Sequence, residues 1–158
     1  MKITLRRGAR GALYQSVIDS LSAEIAVLDL QGTIIMTNDS WDRFARENQA
    51  RGSDRTGVGV NYLEVCRIAS GESSEGAKEV LAGLQEVLSG KNRDFTFEYA
   101  CHSPTVRRWF LLRANGLNHP TRGAVLLHID VTARKNLEAR LREQEERFRV
   151  ALQNSPVV

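Results

Sequence analysis

Residues 123–135 read GAVLLHIDVTARK. The first part has strand character, and Val125, Leu127 and Ile129 oppose Leu126 and His128, so apolar groups lie on both faces. A sheet with water on one side would alternate apolar and polar; this stretch therefore requires cover on both. The second part turns charged and helical with no loop between. Asp130 and Thr132, short polar residues at the change, can hydrogen-bond local backbone, Thr132 as a helix cap. A strain in the strand would then reach the helix with no flexible link to absorb it.

Upstream, DFTFEYACHS (94–103) and VRRWFLLRANGL (106–117) also read as strands, separated by Pro104 and, before residue 123, by NHPTRG. Phe95, Phe97, Tyr99 and Cys101 share one face of the first. In the second, Trp109 and Leu111 oppose Phe110 and Leu112, again apolar on both sides. Near the start, EIAVLDLQGTIIMTND (24–39) is a pair of β-rich runs around Gln31-Gly32, the pattern of a tight hairpin. Asn38 or Asp39 can cap the helix SWDRFAREN that follows, with Trp41, Phe44 and Ala45 on one face.

A polar, Gly-rich loop (49–61) leads to a short helix, NYLEVCRIAS, that ends at Gly71. Ser74–Ser89 is a longer helix stopped by Gly90. At the N-terminal end, Leu13, Val17, Ile18 and Leu21 make one apolar stripe on a helix over 10–21. That stripe, from this chain or a partner, is a candidate cover for the second face of the sheet.

The stretch after Thr132 has no Gly or Pro as far as Ser155, and Leu137, Leu141, Gln144, Phe148 and Ala151 follow steps of four and three. Such a helix extends roughly 30 Å at ~1.5 Å per residue, too far for a small core to cover. Its seam predicts a parallel homodimer, weakened by Gln144, with Leu13, Val17, Ile18, Leu21, Leu137, Leu141 and Phe148 at the interface. The expected organisation is a cap helix (1–21), a domain (22–132), a linking helix (133–154) and the start of another domain (155–158).

The whole chain of 158 residues has room for one core and an appendage. With 42% hydrophobic and 26% charged residues it has a globular composition, and no apolar run approaches the ~20 residues of a membrane span. The N-terminal stretch lacks an uninterrupted apolar segment, which predicts a cytoplasmic location. A net charge of +3 with scattered arginines gives no nucleic-acid footprint. Cys66 and Cys101 form no CxxC pair, so neither a structural zinc site nor a disulfide framework is expected.

The order strand, strand, short helices, longer helix, three strands, helix resembles a PAS domain, the sensory module of bacterial signalling proteins. Asp29 and Gly32 match the Asp-x-x-Gly turn between its opening strands, and Asn38 the Asn that closes the second. IDVTARK is similar to the family's Asp-Ile-Thr-x-x-Lys exit, with Val131 in place of Ile. The pair EYACHSPTVRRWFLLR resembles that of a PAS subset, keeping Cys101-His102-Ser103-Pro104 and Arg108-Trp109-Phe110. The resemblance covers roughly residues 20–135, and EERFRVALQNSPVV resembles the truncated start of a second PAS domain. It implies an α+β fold: a five-stranded antiparallel sheet, helices enclosing a cavity on one face, flanking helices against the other. It also implies a two-component or similar pathway, with an output domain such as a histidine kinase or a cyclic-dinucleotide enzyme beyond this chain.

Haem-binding members usually take an axial His from the longer central helix, and residues 74–89 contain none; His128 and His102 are better read as satisfied polar groups. Flavin photosensors carry Asn-Cys-Arg-Phe-x-x-Gln, whereas VCRIASG keeps Cys66-Arg67 but has Val65 and no Gln. Cys101 and His102 are strand neighbours on opposite faces, so neither a thiol nucleophile nor, with His119, a metal site is expected. No catalytic residue and no cofactor is predicted. Trp41, Tyr62, Cys66, Tyr99 and Trp109 are the candidates to line a ligand cavity, with Arg67 as an anion contact, or else to fill the core. The expected function is a dimeric, non-enzymatic sensor of a small ligand or partner. The alternatives are a ligand-free dimerisation spacer and a haem or flavin redox sensor.

Overall fold

The computed structural model describes residues 7–48, 56–69, 76–100, 107–118 and 122–153. Its elements run α1 (Arg7–Asp19), β1 (Glu24–Leu28), β2 (Ile34–Thr37), α2 (Asp39–Asn48), α3 (Tyr62–Ile68), α4 (Ala77–Leu88), β3 (Asp94–Ala100), β4 (Trp109–Leu117), β5 (Gly123–Asp130) and α5 (Thr132–Gln153). The strands form one antiparallel sheet in the order β2-β1-β5-β4-β3, the α+β architecture expected.

The opening hairpin is wider than a two-residue turn. Asp29 Oδ1 accepts from the N–H groups of Gln31 (2.9 Å) and Thr33 (2.8 Å), and Gly32 takes φ +82°. The Asp side chain organises this loop by standing in for a backbone acceptor, which is why it extends from Asp29 to Thr33. At the entrance to β5, Gly123 has φ +149°, and a Cβ there would meet the carbonyl oxygen of Leu28 at 2.0 Å. Only glycine lets the central strands approach at that point.

Alternation sorts the sheet into two faces. Ala26, Leu28, Ile34, Leu112, Ala114, Ala124 and Leu126 join Trp41, Cys66, Val80, Leu84 and Val87 in the core on the helical side. On the other face Val27, Leu111, Val125, Leu127 and Ile129 are half-buried. Within one chain α1 does not supply their cover. It ends two residues early, at Asp19, and is tied to the edge of the sheet, where Gln15 Nε2 donates to Thr37 O (3.0 Å). Its Leu13 and Val17 remain 46% and 52% exposed and its Ile18 half-buried, while Leu21, just past its end, is 46% exposed.

Asn38, not Asp39, caps α2: its Oδ1 accepts from Trp41 N–H at 3.0 Å. Asn61 caps α3 in the same way through Glu64 N–H (3.1 Å), and α3 ends at Ile68, short of Gly71. Gly71, Ser74, Cys101, His102, His119, the 49–55 part of the loop and residues 155–158 lie outside the described residues.

Candidate ligand pocket and signal junction

A pocket of about 140 Å³ lies between α3, α4 and the inner face of β3 and β4. Tyr62 and Cys66 wall it from α3, Val80 from α4, Tyr99 and Leu112 from the sheet. Among the described residues none that lines it carries a charged side chain. Helical spacing puts Tyr62 and Cys66 four residues apart on one face of α3, and strand alternation points Tyr99 inward beside Phe97. A larger cleft, about 320 Å³, opens where α4 ends, with Arg93 and Arg122 on its rim; it lies away from the aromatic cluster and the exit helix.

Burial pushes the Cys66 thiol up to about 11, so it stays protonated and behaves as an apolar group at neutral pH. The Tyr62 phenol is raised still further, first by desolvation and then by Cys66 and Glu24 nearby. Both walls of α3 are therefore neutral.

Of the expected cavity residues, Tyr62, Cys66 and Tyr99 come together. Trp41 stands behind Tyr62, ring centroids 5.9 Å apart, and donates from Nε1 to Thr56 O at 2.8 Å. Arg67 points away from the pocket: its side chain is exposed and pairs with Glu64 one turn back on α3, which removes the anion contact. Trp109 sits on the opposite face of the sheet, with Lys135 Nζ 5.5 Å from its ring centroid. The strand alternation that opposes Trp109 to Phe110 and Leu112 already requires this.

Behind the pocket lies a buried polar chain absent from the expected site. His128 Nδ1 lies 2.7 Å from Glu24 Oε2, and Nε2 is hydrogen-bonded to the Tyr99 hydroxyl. A proton on Nδ1 would be shared with Glu24 and leave Nε2 to accept from the Tyr99 hydroxyl. The imidazole stacks on Phe110 at 4.5 Å, with Phe44 edge-on at 5.6 Å. Cross-strand register makes the chain: Glu24 opposes His128, which opposes Leu112, next to the Tyr99–Phe110 pair. The inward position of His128 was readable from alternation; its partners required the register.

At the exit, Val131 N–H donates to Trp109 O (2.8 Å) and Trp109 N–H donates to Thr132 Oγ1 (2.9 Å). Thr132 thus anchors the start of β4 rather than capping the helix. The turn is held instead by Asp130 Oδ1, which accepts from Thr132 N–H at 2.8 Å, and Val131 O takes the first helical bond, from Lys135 N–H. Glu98 on β3 pairs with both Lys135 and Arg134 of α5, and hydrogen bonds from these two cations hold its carboxyl below the usual carboxylate range. Beyond this turn α5 buries no residue, and Leu137, Leu141 and Phe148 are 59%, 51% and 67% exposed.

Among the described residues no three His, Cys, Asp or Glu side chains are grouped to hold a metal ion. No described helix is long and apolar enough to cross a membrane.

The profile of the PAS fold matches residues 18–136. An uncharacterised 104.1 kDa protein from Rhodobacter capsulatus is 44% identical over 121 residues, 76% of this chain; the match spans only 13% of that relative's length. Among solved structures, the PAS domain of BvgS from Bordetella pertussis superposes with a TM-score of 0.57 at 16% identity, over 87% of this chain and 98% of that one. A PAS domain from a two-component sensor histidine kinase gives 0.51 at 10% identity, over 79% and 99%. The phage VqmA–DPO complex gives 0.56 at 14% identity, over 87% of this chain and 60% of that one. These likenesses concern the fold, and with the match of the profile to most of the sequence they lead to one assignment: the chain belongs to the PAS fold family.

Proposed function

We propose that this PAS domain is a cytoplasmic sensor that takes a small ligand in the pocket between α3, α4 and the sheet and passes its state through α5 to an output domain further along the full-length protein. The carrying observation is the continuity between pocket and exit helix. Leu112 lines the pocket, and three residues earlier on the same strand Trp109 accepts a backbone hydrogen bond from Val131 and donates its N–H to the Thr132 hydroxyl. A ligand shifts the helix only by binding one arrangement better than the other, since equal affinity moves nothing. A strand that touches the ligand at one end and the helix at the other offers that difference.

The uncovered seam on α5 and the stripe on α1 support a parallel homodimer, in which the output domain would read the relative position of two α5 helices. The 1–21, 22–132, 133–154 and 155–158 division fits this scheme as cap, sensor, transmitter and onward connection.

A thermal-shift screen of the purified chain against a metabolite panel tests the ligand part. A specific ligand at a hundred times its Kd adds about 2.7 kcal/mol of stability, a readily measured rise in Tm. If no compound raises Tm, and larger side chains at Val80 are accepted without loss of dimerisation, the domain is a dimerisation spacer and the sensor reading falls.

A further inference from the structure

Among the described residues that line the pocket, three carry a polar side-chain group, and they differ in what they have left to offer. The Tyr99 hydroxyl is hydrogen-bonded to His128. The Cys66 thiol is a weak donor at best. Tyr62 is different. Among the described residues its hydroxyl has no hydrogen-bond partner, while no buried side-chain nitrogen or oxygen lacks one. The two facts are compatible because Tyr62 is half-buried and borders open space. A neutral phenol in apolar surroundings is a directed donor, and leaving such a donor unmatched against a bound apolar molecule costs free energy.

Charge sets a second condition. Among the described residues the lining contains no cation, Arg67 faces solvent with Glu64, and Glu24 lies near Tyr62. An anion entering here would lose its hydration and find no counter-ion among the described lining residues. Size sets a third: about 140 Å³ is close to a cavity that accommodates one benzene-sized molecule.

Resting on the ligand-pocket reading above, we infer that the pocket selects a small, uncharged, mainly apolar molecule with a hydrogen-bond acceptor, which Tyr62 recognises by donating its hydroxyl proton. Tyr62 is then a specificity-determining residue, and carboxylates and phosphates are excluded.

Three flat probes of similar size separate the terms: benzonitrile (acceptor), toluene (none) and benzoate (anion). Each is titrated into the 158-residue chain and followed by the ¹H–¹⁵N amide shifts of Cys66, Val80 and Leu112. Benzonitrile is expected to bind about tenfold more tightly than toluene, the equivalent of one unmatched donor, and benzoate to leave these amides unmoved. In Tyr62→Phe, which keeps the ring, the tenfold preference disappears while toluene binding is unchanged. Equal affinity for benzonitrile and toluene, a preference that survives in Tyr62→Phe, or benzoate binding at the same amides would each overturn the acceptor inference while leaving the pocket as a ligand site. No movement of these amides with any probe would overturn both readings.

Discussion

Asn38 is fully buried, and its side-chain amide has five hydrogen-bond partners, three of them carbonyls that share the two Nδ2 protons. Oδ1 accepts from Ile25 N–H (2.9 Å) and Trp41 N–H (3.0 Å); Nδ2 donates to the carbonyls of Ile18 (3.0 Å), Leu21 (3.3 Å) and Ala23 (2.9 Å). One residue thus joins the end of α1, the start of β1 and the first turn of α2. In Asn38→Ala the loss of the cap costs ~1 kcal/mol, and the N–H of Ile25, left without its acceptor, another 1–3 kcal/mol or so. The carbonyls lose less, because Ile18 O also accepts from Leu21 N–H and Leu21 O from Ser40 Oγ. The sum is about 3 kcal/mol, a large share of the ~5–15 kcal/mol that holds a domain folded. With a urea slope of roughly 1–2 kcal/mol/M, the midpoint falls by about 1.5–3 M. Ser40→Ala, which removes one exposed bond to Leu21 O, is the control and shifts stability by no more than ~0.5 kcal/mol. A loss below 1 kcal/mol in Asn38→Ala would refute the bookkeeping, since buried donors could then go unpaired at little cost.

Gly123→Ala forces a side chain into positive φ and against Leu28 O, so chemical denaturation should show a loss above ~2 kcal/mol; a near-neutral result would mean that β1 and β5 can move apart freely. Leu141→Glu places a charge on the α5 seam and should shift sedimentation toward monomer without changing the melting of the domain; an intact dimer would move the contact elsewhere. Glu98 is more acidic when folded than unfolded, so its grip on Lys135 and Arg134 contributes above the usual carboxylate range and is lost as pH falls through the lowered folded value. Spin labels on α5 and β3 should accordingly report a more mobile helix start in acid, and Glu98→Gln should show that mobility already at neutral pH; a pH response retained by Glu98→Gln would assign it to another group.

The fold was legible in the sequence because its signals are local. Two-sided apolar strands, the Asp29–Gly32 turn and the cap at Asn38 each follow from a few adjacent residues, and each is found in place. The pocket was legible only where periodicity fixes direction. Four-residue spacing on α3 brings Tyr62 and Cys66 together, and the same spacing rule turns Arg67 out to Glu64. Trp109 lies off the pocket because strand parity, not aromatic size, decides which face of β4 a residue takes. Glu24, Tyr99 and His128 could not be joined from sequence, since 104 residues separate the first from the last and only the register of three strands makes them neighbours. Thr132 is the same case at short range: its type suggested a cap, but its partner is Trp109, 23 residues away.

These placements decide where a signal can travel on the sensor reading. Phe110 and Leu112 face the helices while Trp109 and Leu111 face the other side, so displacement of Leu112 in the pocket tilts β4 about its own axis and moves Trp109 with it. Trp109 cannot move without carrying Val131 and Thr132, because both hydrogen bonds run between backbone or short side-chain atoms with little slack. Glu98 adds a second constraint from β3, on the same outer face, holding the next turn of α5 through Arg134 and Lys135. A helix fixed at two points on neighbouring strands follows a change in their relative twist, whereas a helix fixed at one could swivel and lose it. The ligand therefore needs to alter only the angle between β3 and β4, and the pocket wall formed by Tyr99 and Leu112 is where it touches both.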